Sequence, residues 1–421
     1  MDNPALCAIT LAMEHDSDIL IAGGGLNGPA LALALAQAGL RVTVIDARPA
    51  PARAEIGFDG RAYALAIASK RLLTGIGLWS GLADKVQPIL QIKASDGIAG
   101  EGASPYFLHF DSAEIEEGPM GFMLEDRHLY RAFLTALEAS PNVTLFSGET
   151  VVAQEISGQQ ASVTLASGTR LTGRVLIGCD GRGSGTAARA GIRRVGWGYG
   201  QTALVTAVAH ERHHQGIAQQ FFMPAGPLAI LPLAGGHHSS IVWSESDTAA
   251  AAIQALDDDA YLGLLRPRFG DFLGPISLAG ARFTYPLSLS LAQSFVAPRL
   301  ALVGDAAHGV HPIAGQGLNL GLRDVAALAE VLVDALRRGE DIGAPDVLER
   351  YQRWRRFDST TLALGMDGVN RLFSNNNPVL RGMRDLGMGL ISAMPALRRT
   401  FIRQAAGLRG DLPRLLAGQP L

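Results

Sequence analysis

The sequence predicts an α/β fold, in which a parallel sheet flanked by helices is interrupted by an inserted antiparallel β-sheet and followed by a helical C-terminal tail. Three observations predict it. A strand, a glycine turn, a helix and a second strand run from Asp18 to Asp46. Another strand, acid, glycine turn and helix fall between Leu300 and Leu336. Between them, the stretch from Gly196 to Pro286 is β-rich in texture.

The first unit reads DILIAGGGLNGPALALALAQAGLRVTVID. Gly23-x-Gly25-x-x-Gly28 follows an apolar strand and opens a helix, which is the dinucleotide fingerprint of a Rossmann-like domain in its proper context. Gly23 makes the tight turn, Gly25 lets a pyrophosphate approach the backbone, and Gly28 lets helix and strand pack closely. Asp46, at the end of the second strand, is placed to accept from an adenosine ribose. The fingerprint alone does not separate NAD from FAD.

In the second unit, Leu300 to Val303 form the strand and Asp305 falls where it ends, outside the carboxyl edge where open α/β sheets bind ligands. Leu318, Leu322, Val325, Ala329, Leu332 and Leu336 recur at spacings of three and four, so a helix starts near Gly317. Its free N–H groups and positive dipole end favour a partial negative charge, such as the pyrimidine edge of a reduced flavin. Gly315 and Gly317 lack a β-carbon and admit a flat ring system. One ligand spanning both units has the length and chemistry of FAD.

Between the units, Asp59-Gly60-Arg61 precedes an amphipathic helix (Leu65, Ala68, Leu72, Leu73, Ile76), which leaves Arg61 either solvent-facing or near cofactor or reductant phosphates. Gly121 to Asp126 open a helix to Ala139, with Arg127 in its first turns, where a cation opposes the dipole and a pyrophosphate would compensate. Alternating strands from 143 to 180 end on Asp180-Gly181-Arg182-Gly183-Ser184. A helix is expected near Thr248 to Arg266 and a last strand from Arg282 to Tyr285. These elements divide the chain into a nucleotide domain (1–88, 121–195 and 296–375), a β-sheet substrate domain (89–120 and 196–295) and a tail (376–421).

With 36 Lys and Arg against 39 Asp and Glu, the chain has no basic excess, which argues against a nucleic-acid binder. Cys7 and Cys179 are too few and too poorly placed for a structural disulfide, which fits a reducing compartment. No secretory signal and no membrane-length apolar run is present, so the expected location is cytoplasmic, free or peripheral on the inner face of the membrane. From Pro378 onward seven Arg face two Asp among apolar residues, a composition that suits a peripheral membrane or partner surface and equally a solvated helix face. Adjacent histidines at 213/214 and 237/238 point to opposite sides of a strand, and His308 and His311 sit in the glycine-rich approach to the second unit, so no metal site is expected. Ile217 to Trp243 contain no Lys or Arg, so a pocket floored by these strands is apolar and lacks a carboxylate clamp.

The motifs GGGLNG (23–28), DGRAYAL (59–65), CDGRGS (179–184), QQFFMPAGPLAILPL (219–233), TYPL (284–287) and GDAAHGVHPIAGQGLNLGLRD (304–324) occur in order, with Tyr351, Asp367 and LFS (372–374) behind them. From about Asp18 to Ala405 the chain resembles the flavoprotein aromatic monooxygenases built on the para-hydroxybenzoate hydroxylase plan, and most closely the ubiquinone-biosynthesis hydroxylases. The resemblance implies FAD held by Gly23, Gly25, Gly28 and Asp46 at the adenosine end, with Arg127 and Asp180 toward the phosphates, and Arg61 is kept as a further cofactor-binding candidate. It further implies Asp305 on the ribitol, Gly315, Gly317, Leu318 and Asn319 around the isoalloxazine, and the Pro312 carbonyl lining the reaction site with Gly315. NAD(P)H is the implied electron donor. The implied reaction passes through a flavin C4a-hydroperoxide that hydroxylates a polyprenylated phenol, with O2 as co-substrate and quinone-biosynthesis proteins as partners. Phe222, Leu231, Arg282 and Tyr285 are the pocket candidates, and no side-chain base is nominated. One departure stands out: the arginine expected three residues after Ser184 is Ala187, and the nearest is Arg189. Two alternatives stay open. One is a soluble hydroxylase of a small aromatic acid or secondary metabolite, anchored by Arg282; the other is a weakly active flavin-binding subunit of a biosynthetic complex.

Overall fold

Apolar runs that end on glycine or an acid form the strands here, and the Ala- and Leu-rich stretches between them form the helices that cover them. The computed structural model describes residues 15–50, 57–100, 102–311, 315–373 and 394–421. The chain opens with β1 (Ile19–Ala22), α1 (Asn27–Gln37) and β2 (Val42–Asp46). Then come β3 (Ala62–Leu65), α2 (Ile67–Gly75), β4 (Gln87–Ile89), β5 (Gln91–Ile98) and β6 (Gly102–Asp111). β7 (Gly121–Glu125) and α3 (Asp126–Ala139) lead to β8 (Val143–Ser147). β9 (Val151–Ser157), β10 (Gln160–Leu165) and β11 (Arg170–Gly173) precede β12 (Val175–Gly178) and the short α4 (Gly185–Arg189). β13 (Arg194–His210), β14 (Ile217–Met223), β15 (Gly226–Pro232) and β16 (His238–Ser246) are followed by α5 (Asp247–Gln254), α6 (Asp258–Phe269), β17 (Ile276–Leu278) and β18 (Phe283–Ala292). The chain closes with β19 (Val296–Ala297), β20 (Leu300–Leu302), β21 (His308–Gly309), α7 (Gln316–Arg337), α8 (Pro345–Phe373), α9 (Pro395–Ala405) and α10 (Arg414–Ala417).

The nucleotide sheet has the order β19-β20-β12-β1-β2-β8 and is parallel from β20 to β8. β1, β12 and β20 are buried along their whole length, as befits strands covered on both faces. α1 is apolar all round and buried from Gly28 to Ala36, since neighbouring helices and the sheet enclose it. Side chains of α1, α3, α7 and the β9–β11 sheet share this core.

The inserted sheet has the order β21-β18-β13-β16-β15-β14-β5-β6, with β17 paired to β13. β14 joins β5 in parallel, so two distant stretches of chain build one sheet. Because side chains alternate along a strand, its two faces differ. Leu204, Leu228, Ile230 and Trp243 turn to one side and pack against Tyr261, Leu262 and Leu265 of α6. Gln220, Ala229, Val242, Val205 and Phe283 are successive cross-strand partners and form a row on the other side. That second face meets the nucleotide domain: Ser240 Oγ donates to the Gly60 carbonyl at 3.1 Å, and Ala207 and Ala218 share a core with Ile67 and Met123.

Local structure departs from the sequence expectation in three places. Residues 121–125 are a strand between β3 and β4, and the helix begins only at Asp126. Pairing on both edges overrides the helical reading of this short apolar run. The expected helix 248–266 is two helices, because the Asp257 side chain accepts from the Ala260 N–H at 2.8 Å and starts a new one. The last strand of the insert runs on to Ala292, paired with β13 through a bulge between Gly198 and Gln201. Of the tail, residues 376–393 lie outside the described residues. In the rest, Arg398 pairs with Glu114 at 3.1 Å, Arg403 with Glu117 at 3.3 Å and Arg414 with Glu330 at 3.3 Å. Among the described residues no helix is long and apolar enough to cross a membrane.

Candidate cofactor and active site

The first glycine turn is closed by backbone contacts that no side chain could share. Gly23 has φ +113°, and a β-carbon there would lie 2.3 Å from the Cys179 carbonyl oxygen. One on Gly28 would lie 2.0 Å from the Gly23 oxygen. Gly25 has open space in front of it. The N-terminus of α1 behind this space has no side-chain cap and no acid in its first turn, so its N–H groups and dipole are left for an external anion. At the end of β2, Asp46 Oδ1 accepts from the Arg48 N–H at 3.2 Å, whereas Oδ2 is buried with no partner among the described residues. A buried carboxylate oxygen without a donor is costly unless a ligand supplies one.

The second turn sits beside the first. Gly304 (φ +62°) and Gly321 both press against Asn27 of α1, within 2.2 and 2.4 Å of where their β-carbons would be. Asp305 follows in a 3-10 turn and is partly exposed. Gly315 caps α7 in the left-handed conformation (φ +63°), and a β-carbon would come within 2.9 Å of Ala64. Gly317 has nothing within 4 Å of its missing side chain. As in α1, no acid and no side-chain cap occupies the start of α7. Asn319 is engaged by the protein itself: Oδ1 accepts from Ala66 N and Ser69 Oγ, while Nδ2 donates to the Ala64 and Gly315 carbonyls. Its side chain therefore ties β3 to the turn, while Gly317 keeps open space in front of it and Leu318 packs against the core.

A buried charged network supports this turn from behind. Asp324 of α7 accepts from Gly304 N at 3.0 Å, His308 Nε2 at 2.5 Å and Arg355 Nε at 2.8 Å. Burial alone would raise its pKa, but His308 and Arg355 hold the carboxyl below the usual range. Arg355 also bonds Asp358 and Ser359, and Tyr351 donates to the Leu302 carbonyl at 2.7 Å. Sequence reasoning assigned no role to Asp324, which ends the 304–324 motif, or to Arg355, because their partners lie far apart in the chain.

The remaining residues expected at the phosphates are held by neighbours. Arg127 bonds Glu125 at 2.6 Å, so the acid that offsets its charge is the one before the helix. Asp180 accepts from Ser184 Oγ and from the N–H and Oγ1 of Thr186, capping α4. Arg61 bonds Asp59 at 2.8 Å, lies 3.5 Å from Asp126, and stacks over Phe283 with 5.1 Å to the ring centre.

Phe222 and Leu231 lie on the side of the inserted sheet that meets the nucleotide domain, Phe222 tilted against Phe373 of α8 at 4.0 Å between ring centres. Tyr285 shares that side, paired across from Ala203, and is exposed. Arg282 does not. It precedes Phe283 and so points the other way, over the Tyr261 ring at 5.1 Å and toward Asp258 at 3.5 Å. It is a prop for α6 and no substrate anchor. Pro312 lies outside the described residues, as do Cys7 and Arg53. Among the described residues no group of three or more His, Cys, Asp or Glu is placed to hold a metal.

His311, beside the turn, is buried with both ring nitrogens unpartnered among the described residues and its ring against Tyr199. Burial first and Arg182 second push its pKa down to about 4. Such a group is neutral when folded and takes up a proton on unfolding below its ordinary pKa of about 6.5. The stabilisation is full above about pH 6.5 and is lost as pH falls toward 4. Thermal scans from pH 7.5 to 4.5 should show the midpoint dropping through this window, and less steeply for His311→Phe; equal slopes would refute the assignment.

Comparison with known proteins decides what this seat is for. Residues 16–362 match the family model described as an FAD binding domain. The chain belongs to this FAD-binding family. Within the family it is 45% identical to the ubiquinone hydroxylase UbiL of Rhodospirillum rubrum, over 98% of this chain and 95% of the relative. It is 37% identical to 3-demethoxyubiquinol 3-hydroxylase of Escherichia coli, over 94% of this chain and the whole of that one. Among solved structures, p-nitrophenol 4-monooxygenase PnpA of Pseudomonas putida superposes with a TM-score of 0.79 at 20% identity, covering 95% of this chain and all of the other, which establishes the shared fold.

The residues present fit FAD. A buried acceptor without a donor at Asp46, open space at Gly25 and Gly317, and two uncapped helix starts offer what its ribose, phosphates and ring edge need. This FAD-binding flavoprotein is thus an aromatic-ring monooxygenase by family.

Proposed function

We propose that the substrate is a polyprenylated phenol on the path to ubiquinone, hydroxylated on its ring with O2 as oxidant and NAD(P)H as electron donor. The state of Arg61 carries this reading. Its guanidinium lies over Phe283 on the side of the sheet that meets the nucleotide domain, and Asp59 and Asp126 already neutralise it. With Arg282 turned to the opposite face, neither arginine is free to clamp a substrate carboxylate. An uncharged, greasy molecule suits the row of Ala229, Val242, Val205 and Phe283 beside Phe222 and Leu231. The names of the relatives, a ubiquinone hydroxylase and a demethoxyubiquinol hydroxylase, point the same way.

Bound FAD supplies reduction by the donor, activation of oxygen and transfer of one oxygen atom to the ring. The chain supplies the setting. Asp46 and Asp305 would accept from the two hydroxyl-bearing parts of the cofactor, the start of α7 would favour negative charge at the ring edge, and the apolar row would exclude water from the reacting centre. Because a prenylated phenol resides in the bilayer, the reading includes a peripheral encounter with membrane or with a quinone-biosynthesis partner that hands the substrate over.

Holoprotein supplied with NAD(P)H and a prenylated phenol should yield a product heavier by one oxygen atom, with oxidation of the donor coupled to its formation. Faster turnover of para-hydroxybenzoate than of the prenylated phenol would overturn the proposal. Deleting the gene in its host should make a quinone precursor accumulate, and its mass names the step.

A further inference from the structure

Position 187, where the family resemblance leads one to expect an arginine, is a fully buried alanine in the nucleotide-domain core. Asp180 does without that cation because Ser184 and Thr186 satisfy it. Arg189 is no replacement, since it bonds Gln154 at 3.2 Å and folds back over Gly185. The cation at this turn is Arg182. Its Nε donates to Asp305 Oδ2 at 3.1 Å, Nη1 to the carbonyl and hydroxyl of Ser288 at 3.2 and 3.3 Å, and Nη2 to the Val310 carbonyl at 2.7 Å. Its stem lies over Gly309, 3.4 Å from where a β-carbon would be. One guanidinium thus joins the turn after β12, the strand β18 and both ends of the 305–310 loop.

The same loop is fixed by a second arginine with a different task. Arg194 donates to the backbone carbonyls of Asp305 and Ala306 and to Ser290 Oγ, and so sets the path of the main chain. Arg182 sets the carboxylate. Holding Oδ2, it fixes the rotation of the Asp305 side chain and leaves Oδ1, which has no partner among the described residues, to accept from a ligand. It also offsets a negative charge that would otherwise face the incoming cofactor's pyrophosphate.

We propose that Arg182 is a positioning residue for the flavin seat, acting through Asp305: it orients the carboxylate for the ribitol hydroxyls and neutralises it against the phosphates. A lysine keeps the charge but loses the fork that reaches three partners at once.

The test is a double-mutant cycle on FAD affinity, read by quenching of flavin fluorescence as apoprotein is titrated. Arg182→Ala should weaken FAD about tenfold, and Arg182→Lys by less. Asp305→Asn should weaken it as well, and the Arg182→Ala/Asp305→Asn double variant should bind no worse than Asp305→Asn alone, within about twofold. If Arg182→Ala binds FAD like the parent, or if the two losses multiply, the proposal is wrong. Should the alanine variant not fold, as judged by the thermal midpoint of the apoprotein, Arg182→Gln takes its place in the cycle under the same criteria.

Discussion

Asp324→Asn should destabilise the protein by about 3–5 kcal/mol, the usual cost of removing one partner from a buried ion pair. The carboxylate is fully buried and bonds His308, Arg355 and the Gly304 N–H together. Without its charge, a buried guanidinium keeps only Asp358 and Ser359, and the imidazole loses its acceptor. The effect reaches the cofactor because Gly304 positions Asp305. Denaturant unfolding of the apoprotein measures the stability, and a loss below about 1 kcal/mol would show that the network is dispensable. The pH dependence provides an independent check. A carboxyl whose folded pKa is depressed stabilises above its unfolded pKa of about 3.9, and that stability is lost as pH falls through the folded value. The parent should therefore show an acid limb below about pH 4 that the Asn variant lacks in part.

The second large effect is expected at Gly28. A methyl group there meets the Gly23 carbonyl at 2.0 Å, and both partners are backbone, so no rotamer change relieves it. Either α1 moves off β1 or the glycine turn opens, and both displace the phosphate seat. Overpacking costs about 1–3 kcal/mol, which taken from cofactor binding is about a five- to 150-fold weaker FAD dissociation constant for Gly28→Ala. Titration of the apoprotein with FAD checks this, with Gly25→Ala as the comparison. Gly25 faces open space in the protein alone, so its variant should leave apoprotein stability unchanged while still obstructing FAD. Unaltered FAD affinity in Gly28→Ala would mean that the pyrophosphate does not sit on this turn.

The features legible in the sequence are those whose signal is local. A glycine fingerprint, an acid ending a strand and a helix with apolar residues at spacings of three and four each lie within a short window, and the fold and the two glycine turns follow from them. What was not legible depends on parity or on partners far away in the chain. Arg282 and Phe283 are adjacent, yet strand alternation sends one to α6 and the other to the cofactor side, and a strand that starts one residue later reverses the assignment. Gly121 to Glu125 read as the start of a helix because their two pairing partners are more than thirty and fifty residues away. Asn319 sits in the motif that implies flavin contact, but its amide is saturated by residues near 66. Arg182 carries no local mark either, because the carboxylate it bonds, Asp305, lies 123 positions on.

The nucleotide sheet receives β20 only after the whole insert has been made, since β12 pairs with residues 300–302 on one edge and with residues 19–22 on the other. During synthesis, the emerging chain therefore exposes an apolar strand edge on β12 until more than two thirds of the polypeptide has left the ribosome. The two glycine turns, near residues 23 and 304, are joined into one sheet as late as that, so a ligand that bridges them cannot help the nascent chain early and can fasten its first and last portions only once both exist. Cells short of riboflavin should accordingly accumulate less of this protein, through degradation of completed but unfastened chains rather than through slower translation.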